Sequence, residues 1–268
     1  MYKRQEYTKE PRKPREAAQE SLPEDMIEGR NAVLETLRSG RAVDKIFLAE
    51  GAHLADVAAE AKKHGVPTVT CDRHKLDHMS VTGTHQGVIA QTAAQEYVSL
   101  DDIFRVAEER GETPLIVVCD GIEDPHNLGA VMRSALLCGA HGIVIPKRGG
   151  ASVTPTVIKS SAGAAERLPV ARVANIGETI RRLKEQGVFV YCADMDGVPL
   201  RKNNLTGPIA LVLGSEGSGV SQLVKKLCDG VVRLDMAAQG TGVDSYNVSV
   251  AAGIILYEIQ SQRAAQNA

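Results

Sequence analysis

The chain has 268 residues, 43% of them hydrophobic and 24% charged, and a formal net charge of −2, enough for one large or two modest domains around a substantial core. No apolar run approaches the roughly 20 residues that span a bilayer, and the first 25 residues are too polar for a signal-peptide hydrophobic region, so a cytoplasmic protein is expected. The near-neutral charge gives no global field for phosphate, so any nucleic-acid contact must come from local basic patches.

Aromatic residues make up 3% of the chain and Trp is absent, which argues against a stacking platform for single-stranded bases. Cys71, Cys119, Cys138, Cys192 and Cys228 are scattered singly, so reduced thiols are expected rather than a disulfide framework or a zinc ribbon.

Residues 1–24 are rich in Lys, Glu, Arg, Pro and Gln and almost devoid of apolar side chains, so burial cannot offset the entropy of ordering them and a disordered tail is expected. Arg30–Arg38 carries Ala32, Val33, Leu34 and Leu37 at helical spacing before Gly40 stops the run. Lys45–Ala49 then reads as a strand, His53–His64 as a helix, Val66–Thr70 as a strand, Asp72–Met79 as a helix capped by its own aspartate, and Gly87–Thr92 as a strand. This alternation predicts a small α/β unit over residues 25–95.

A linker over 96–112 begins with the helix-capping segment Ser99-Leu-Asp-Asp102 and ends at the breaker Gly111-Glu-Thr-Pro114. From 113 to 268 the strands become longer and more apolar: Leu115–Cys119, Gly142–Ile145, Val188–Ala193, Ile209–Leu213 and Val231–Leu234. Helices are expected at about 127–139, 155–163, 175–186, 219–228 and 247–262. Continuous Val, Ile and Leu in the strands implies cover on both faces and hence a mainly parallel sheet.

Three segments place glycines and polar groups at the ends of apolar elements, where α/β proteins build sites. The first, Asn127-Leu-Gly-Ala-Val-Met-Arg133, opens a helix, with Pro125 and Asn127 marking the turn and the cap. The second, Leu211-Val-Leu-Gly-Ser-Glu-Gly217, ends a strand in a Gly-x-x-Gly-x-Gly turn whose free N–H groups and Glu216 suit a ligand. That spacing is neither the dinucleotide fingerprint nor a P-loop. The third, Ser245-Tyr-Asn-Val-Ser-Val-Ala-Ala-Gly253, follows the Gly-rich loop Gln239–Asp244, offers Ser245 and Asn247 as caps, and leads into an apolar helix of small residues.

Together these segments resemble the SpoU (TrmH-like) family of RNA 2'-O-ribose methyltransferases over about residues 113–263. Residues 27 to about 95 resemble the substrate-binding domain, with a fold like ribosomal protein L30e, that precedes the catalytic domain in the rRNA guanosine 2'-O-methyltransferase branch. The resemblance implies a trefoil-knotted α/β fold with the knot threaded after Val231, S-adenosylmethionine as cofactor, and a homodimer with the site at the subunit interface. It makes Arg133 the principal catalytic residue, with Asn127, Glu216, Ser245 and Asn247 completing the polar site. It places the cofactor against Gly214, Leu234 and Tyr246, with Gly217 and Met236 nearby.

Three positions depart from the family pattern: Asp235 stands where Pro is usual, Tyr246 replaces the commoner Leu, and the loop before Ser245 is longer.

The activity so implied is 2'-O-methylation of a ribose in 23S ribosomal RNA, with large-subunit rRNA as partner. The alternatives are the same chemistry on tRNA, or an RNA-binding ribosome-assembly factor without turnover. A guanidinium stays protonated, so Arg133 is expected to clamp the neighbouring phosphate and orient the hydroxyl, the proton leaving to phosphate, water or Glu216. His74 and His78 are four apart on a helix but have no third ligand in the pattern, so no metal is expected.

Overall fold

A computed structural model describes residues 26–39, 41–237 and 245–266. The expected tail, Gly40 and the loop Gln239–Asp244 lie outside the described residues.

The chain builds two sheets in succession. The first combines β1 (Met26–Glu28), β2 (Val43–Ala49), β3 (Thr68–Cys71) and β4 (Val88–Thr92) with α1 (Arg30–Arg38), α2 (Ala55–Lys63) and α3 (Arg73–Met79). Its order is β1-β4-β2-β3, with β4 antiparallel to both neighbours and β2 parallel to β3. Period-two alternation along β2 sends Ile46 to a core with Val33, Leu37 and Val57 of α1 and α2, and Phe47 to the opposite face with Leu76 of α3. As expected, α3 is capped by Asp72, whose carboxylate accepts from the His74 N–H at 2.8 Å.

Helix α4 (Leu100–Arg110) opens on a reciprocal capping box between Ser99 and Asp102 and closes on Gly111 at φ +63°. The second sheet then forms from β5 (Leu115–Asp120), β6 (Gly142–Pro146), β7 (Val170–Val173), β8 (Phe189–Pro199), β9 (Ile209–Gly214) and β10 (Gly230–Arg233). Its six strands are all parallel, in the order β10-β8-β9-β5-β6-β7. The intervening helices are α5 (Pro125–Leu137), α6 (Pro155–Ser160), α7 (Ile176–Glu185), α8 (Gln222–Leu227) and α9 (Val248–Gln266).

Strand β5 shows why the expectation of two covered faces held. Leu115, Val117 and Cys119 point into one core with α5 and α9, while Ile116 and Val118 point into the other with α4 and α7.

Two strands escaped the sequence reading, the short β1 and β7. Strand β8 runs to Pro199 rather than ending at Ala193, because its pairing with β10 jumps from Cys192↔Val231 to Val198↔Val232. The extra residues include Asp194, Asp196 and Gly197, which break the apolar pattern and read as a strand end.

The two sheets are joined by a buried charge. Asp44 on β2 is fully buried and accepts from Arg172 Nη1 on β7 at 2.7 Å and from the Tyr97 hydroxyl at 2.9 Å. The second guanidinium nitrogen, Nη2, donates to the Asp44 carbonyl at 2.6 Å, and the guanidinium lies 5.3 Å from the Tyr97 ring centre. Burial pushes the Asp44 carboxyl up and Arg172 and Tyr97 pull it back. The connecting segment is itself zipped to β7, with the Val98 N–H donating to the Val170 carbonyl at 2.9 Å.

Candidate active site

The C-terminal ends of the central strands β5 and β9 open onto the three segments singled out in the sequence. Helix α5 is capped three residues earlier than expected: Asp124 is the cap, accepting from the His126 N–H at 2.9 Å, and Pro125 occupies the first turn. Asn127 is thereby released from capping and buried, with its amide nitrogen donating to Glu216 Oε1 at 2.5 Å.

Asn247 does cap. Its Oδ1 accepts from the Ser249 N–H at 2.9 Å and the Ser249 hydroxyl at 2.6 Å, opening α9. The cap fixes which way the amide faces, so Nδ2 turns inward and donates to Glu216 Oε1 at 2.7 Å and to Asn127 Oδ1 at 3.1 Å. Three polar side chains from three distant segments thus close one hydrogen-bonded ring.

Glu216 sits on a tight turn. Ser215 and Gly219 exchange backbone hydrogen bonds at 3.0 and 2.9 Å, and Gly219 has φ +66°. Any Cβ at Gly214 would overlap the Gly219 backbone and the Val220 nitrogen. Gly214→Ala is therefore expected to cost about 1–3 kcal/mol or more by forcing the turn open. Denaturant titration against the parent protein measures this, and an unchanged midpoint would refute the close approach.

Two cavities meet at this turn. One, of about 310 Å³, has apolar walls from Leu213, Val232, Leu234, Val248 and Ile255 and a polar rim from Asp194, Ser215, Glu216 and Ser245. The other, of about 510 Å³, lies against Gly121, Glu123, Asp124 and Asn127. Residues 215–218 line both, so Glu216 stands in the wall between a mixed apolar pocket and a polar one.

The family model for the SpoU rRNA methylase family matches residues 114–257, more than half of the chain. The chain belongs to the SpoU rRNA methylase family. A second model, RNA 2'-O ribose methyltransferase substrate binding, matches residues 26–98. Among relatives, a Bacillus subtilis protein named as a putative TrmH family tRNA/rRNA methyltransferase, YacO, is 47% identical over 91% of this chain and 98% of its own. A Staphylococcus haemolyticus protein also named as a putative TrmH family tRNA/rRNA methyltransferase is 38% identical over 89% and 96%. Among solved structures, the SpoU methyltransferase AviRb of Streptomyces viridochromogenes, in complex with AdoMet, covers 90% of both chains at 25% identity and a TM-score of 0.57.

Within this SpoU-family site, the structure gathers Asn127, Glu216 and Asn247 into the ring. It sets Gly214, Gly217, Leu234, Ser245 and Tyr246 around the smaller cavity. Ser245 takes no part in the ring, and Met236 does not line the cavity.

Arg133 is exposed on α5, lines neither cavity and bonds to no described residue, so within one chain it stands apart from Asn127. The reason is local: Asn127 lies in the first turn and is drawn in toward Glu216, while Arg133 faces outward one turn and a half later.

Sequence reasoning missed Asp194 and Met195 of the β8 excursion and Ala251 and Ile255 of α9. The acidic pair Asp194 and Asp196 interrupting an apolar strand was the available signal. No group of three or more metal-ligating side chains exists among the described residues, and no helix there is long and apolar enough to cross a membrane.

Proposed function

We propose that this protein methylates the 2'-hydroxyl of a ribose, that of a guanosine, in 23S ribosomal RNA, using S-adenosylmethionine. The observation that carries the proposal is the position of Glu216, held by two amides in the wall between an apolar pocket and a polar one. The smaller cavity fits the cofactor by its chemistry: Leu213, Val232, Leu234, Val248 and Ile255 offer walls for a flat base. Backbone at Gly214, Gly217, Leu234 and Tyr246 offers donors and acceptors at its edges, and Ser245 and Asp194 add polar contacts. The cofactor, when bound, supplies an electrophilic methyl group on a sulfonium.

The protein's task is then alignment first and proton removal second. The polar cavity takes the ribose. Asn127 and Asn247 fix one oxygen of Glu216, leaving the other to receive the hydroxyl proton.

Arg133 clamps the neighbouring phosphate, which needs a second subunit. The proposal includes a cytoplasmic homodimer with its site at the interface. Helix α9, packed on α5, exposes Val250, Ile254 and Tyr257 at helical spacing, and α5 exposes Leu137 beside Arg133. Pairing these faces puts Arg133 at an interface. Residues 25–95 act as the substrate-binding domain, 96–112 as linker and 113–268 as the catalytic domain, with the trefoil threading made after Val231.

Mapping 2'-O-methylation in rRNA and tRNA from cells with and without this gene tests the activity. One methyl group missing from 23S rRNA is expected; none missing from any rRNA sinks the assignment. In purified protein, Arg133→Lys is expected to lower kcat/KM by about 10–100-fold, the loss of one charge-assisted hydrogen bond. A rate close to the parent's, with RNA binding unchanged, removes the bidentate role.

A further inference from the structure

Several basic side chains among the described residues are already neutralised. Arg182 pairs with Asp101, Lys184 with Asp229, and Lys225 with both Asp194 and Asp196. A different arrangement lies where the two sheets face one another. A cleft of about 470 Å³ there is lined by Arg41, His64, Gly65, Tyr97, Lys147 and Arg172, and no Asp or Glu is among its lining residues.

Three carboxylates stand behind this lining, and all are engaged, Asp102 by Ser99 and Arg105. Asp44 is bound by Arg172, and Glu60 accepts from His64 at 3.2 Å and Lys63 at 3.5 Å. Lys147 makes no ion pair with any described residue, and its Nζ is 4.0 Å from where a Cβ on Gly65 would stand. Its ammonium therefore spans the gap from the second sheet to the first. Arg172 is only 7% exposed, and its Nε has no partner among the described residues. The Lys147 ammonium, beside the unpartnered Arg172 Nε in a concave, partly dry setting, offers an anion a focused site.

We propose that this cleft binds a phosphodiester of the substrate RNA, with Lys147 as its principal contact. The inference rests on the RNA-methylating function proposed above. The Lys147 ammonium is a point charge with no acceptor to match a base edge, so the contact positions the RNA without reading its sequence.

The test uses full-length protein, its Lys147→Ala and Lys147→Glu variants, and protein-free large-subunit rRNA in filter binding across salt concentrations. Lys147→Ala is expected to reduce the slope of log affinity against log salt by about 1, and Lys147→Glu to weaken binding by about tenfold or more at low salt. Cofactor affinity and the thermal midpoint stay at the parent's values. Unchanged affinity and slope in both variants overturn the inference, and if the parent then still methylates rRNA the proposed activity stands. Binding that depends on Lys147 in a protein that methylates no ribose supports the cleft and removes the activity. A parent that binds no RNA overturns both.

Discussion

Glu216→Gln is expected to slow methyl transfer by about 10²–10⁴-fold while leaving cofactor affinity close to the parent's. One oxygen of Glu216 accepts from both Asn127 and Asn247, at 2.5 and 2.7 Å. A glutamine can keep those two bonds with its own carbonyl oxygen, so the turn and both cavities persist. What it then presents in the place of the second carboxylate oxygen is an amide NH₂, which cannot take a proton. Single-turnover rates with labelled cofactor, read beside cofactor binding by calorimetry, separate the two effects. A glutamine variant at near-parental rate would show that phosphate or water removes the proton and that Glu216 serves only to order the ring.

Asp44→Ala is expected to destabilise the protein by about 3–5 kcal/mol, because it strands the buried Arg172 guanidinium without a counter-ion. At about 2–4 °C per kcal/mol for a chain of this size, the thermal midpoint falls by on the order of 10 °C. The Tyr97 hydroxyl loses its acceptor at the same time, which loosens the connecting segment. The double replacement Asp44→Leu with Arg172→Met removes both charges and is expected to recover most of the loss. A cost below about 1 kcal/mol for Asp44→Ala would show that water reaches the pair.

Much of this architecture was legible in the sequence because its signals are local. Alternation along β2, the caps at Asp72 and Ser99, and the uninterrupted apolar runs of β5 and β9 each report on a few neighbouring residues. Asn127, Glu216 and Asn247 could be singled out one by one from their places at element ends. Their mutual bonds could not, since they join residues 89, 120 and 31 positions apart. The same holds for Asp44 and Arg172, separated by 128 positions: in sequence each is one more charge, and only the approach of two sheets makes them a pair. Asn127 as a cap was a misreading with a simple cause, as Asp124 three residues earlier offers the same capping chemistry and sits directly before the proline.

Strand order also sets a timetable for biosynthesis. Strand β5 lies between β6 and β9, yet β6 follows it closely in the chain whereas β9 begins roughly 90 residues after β5 ends. At about 5–20 residues per second, one flank of this apolar strand waits several seconds for its partner. The first sheet is complete by Thr92 and can close on its own, while the second must hold an open hydrogen-bonding edge until the segment carrying Glu216 has been made. Nascent chains interrupted between Pro146 and Ile209 should therefore be the aggregation-prone ones, their exposed edge being the very flank that later supports the site.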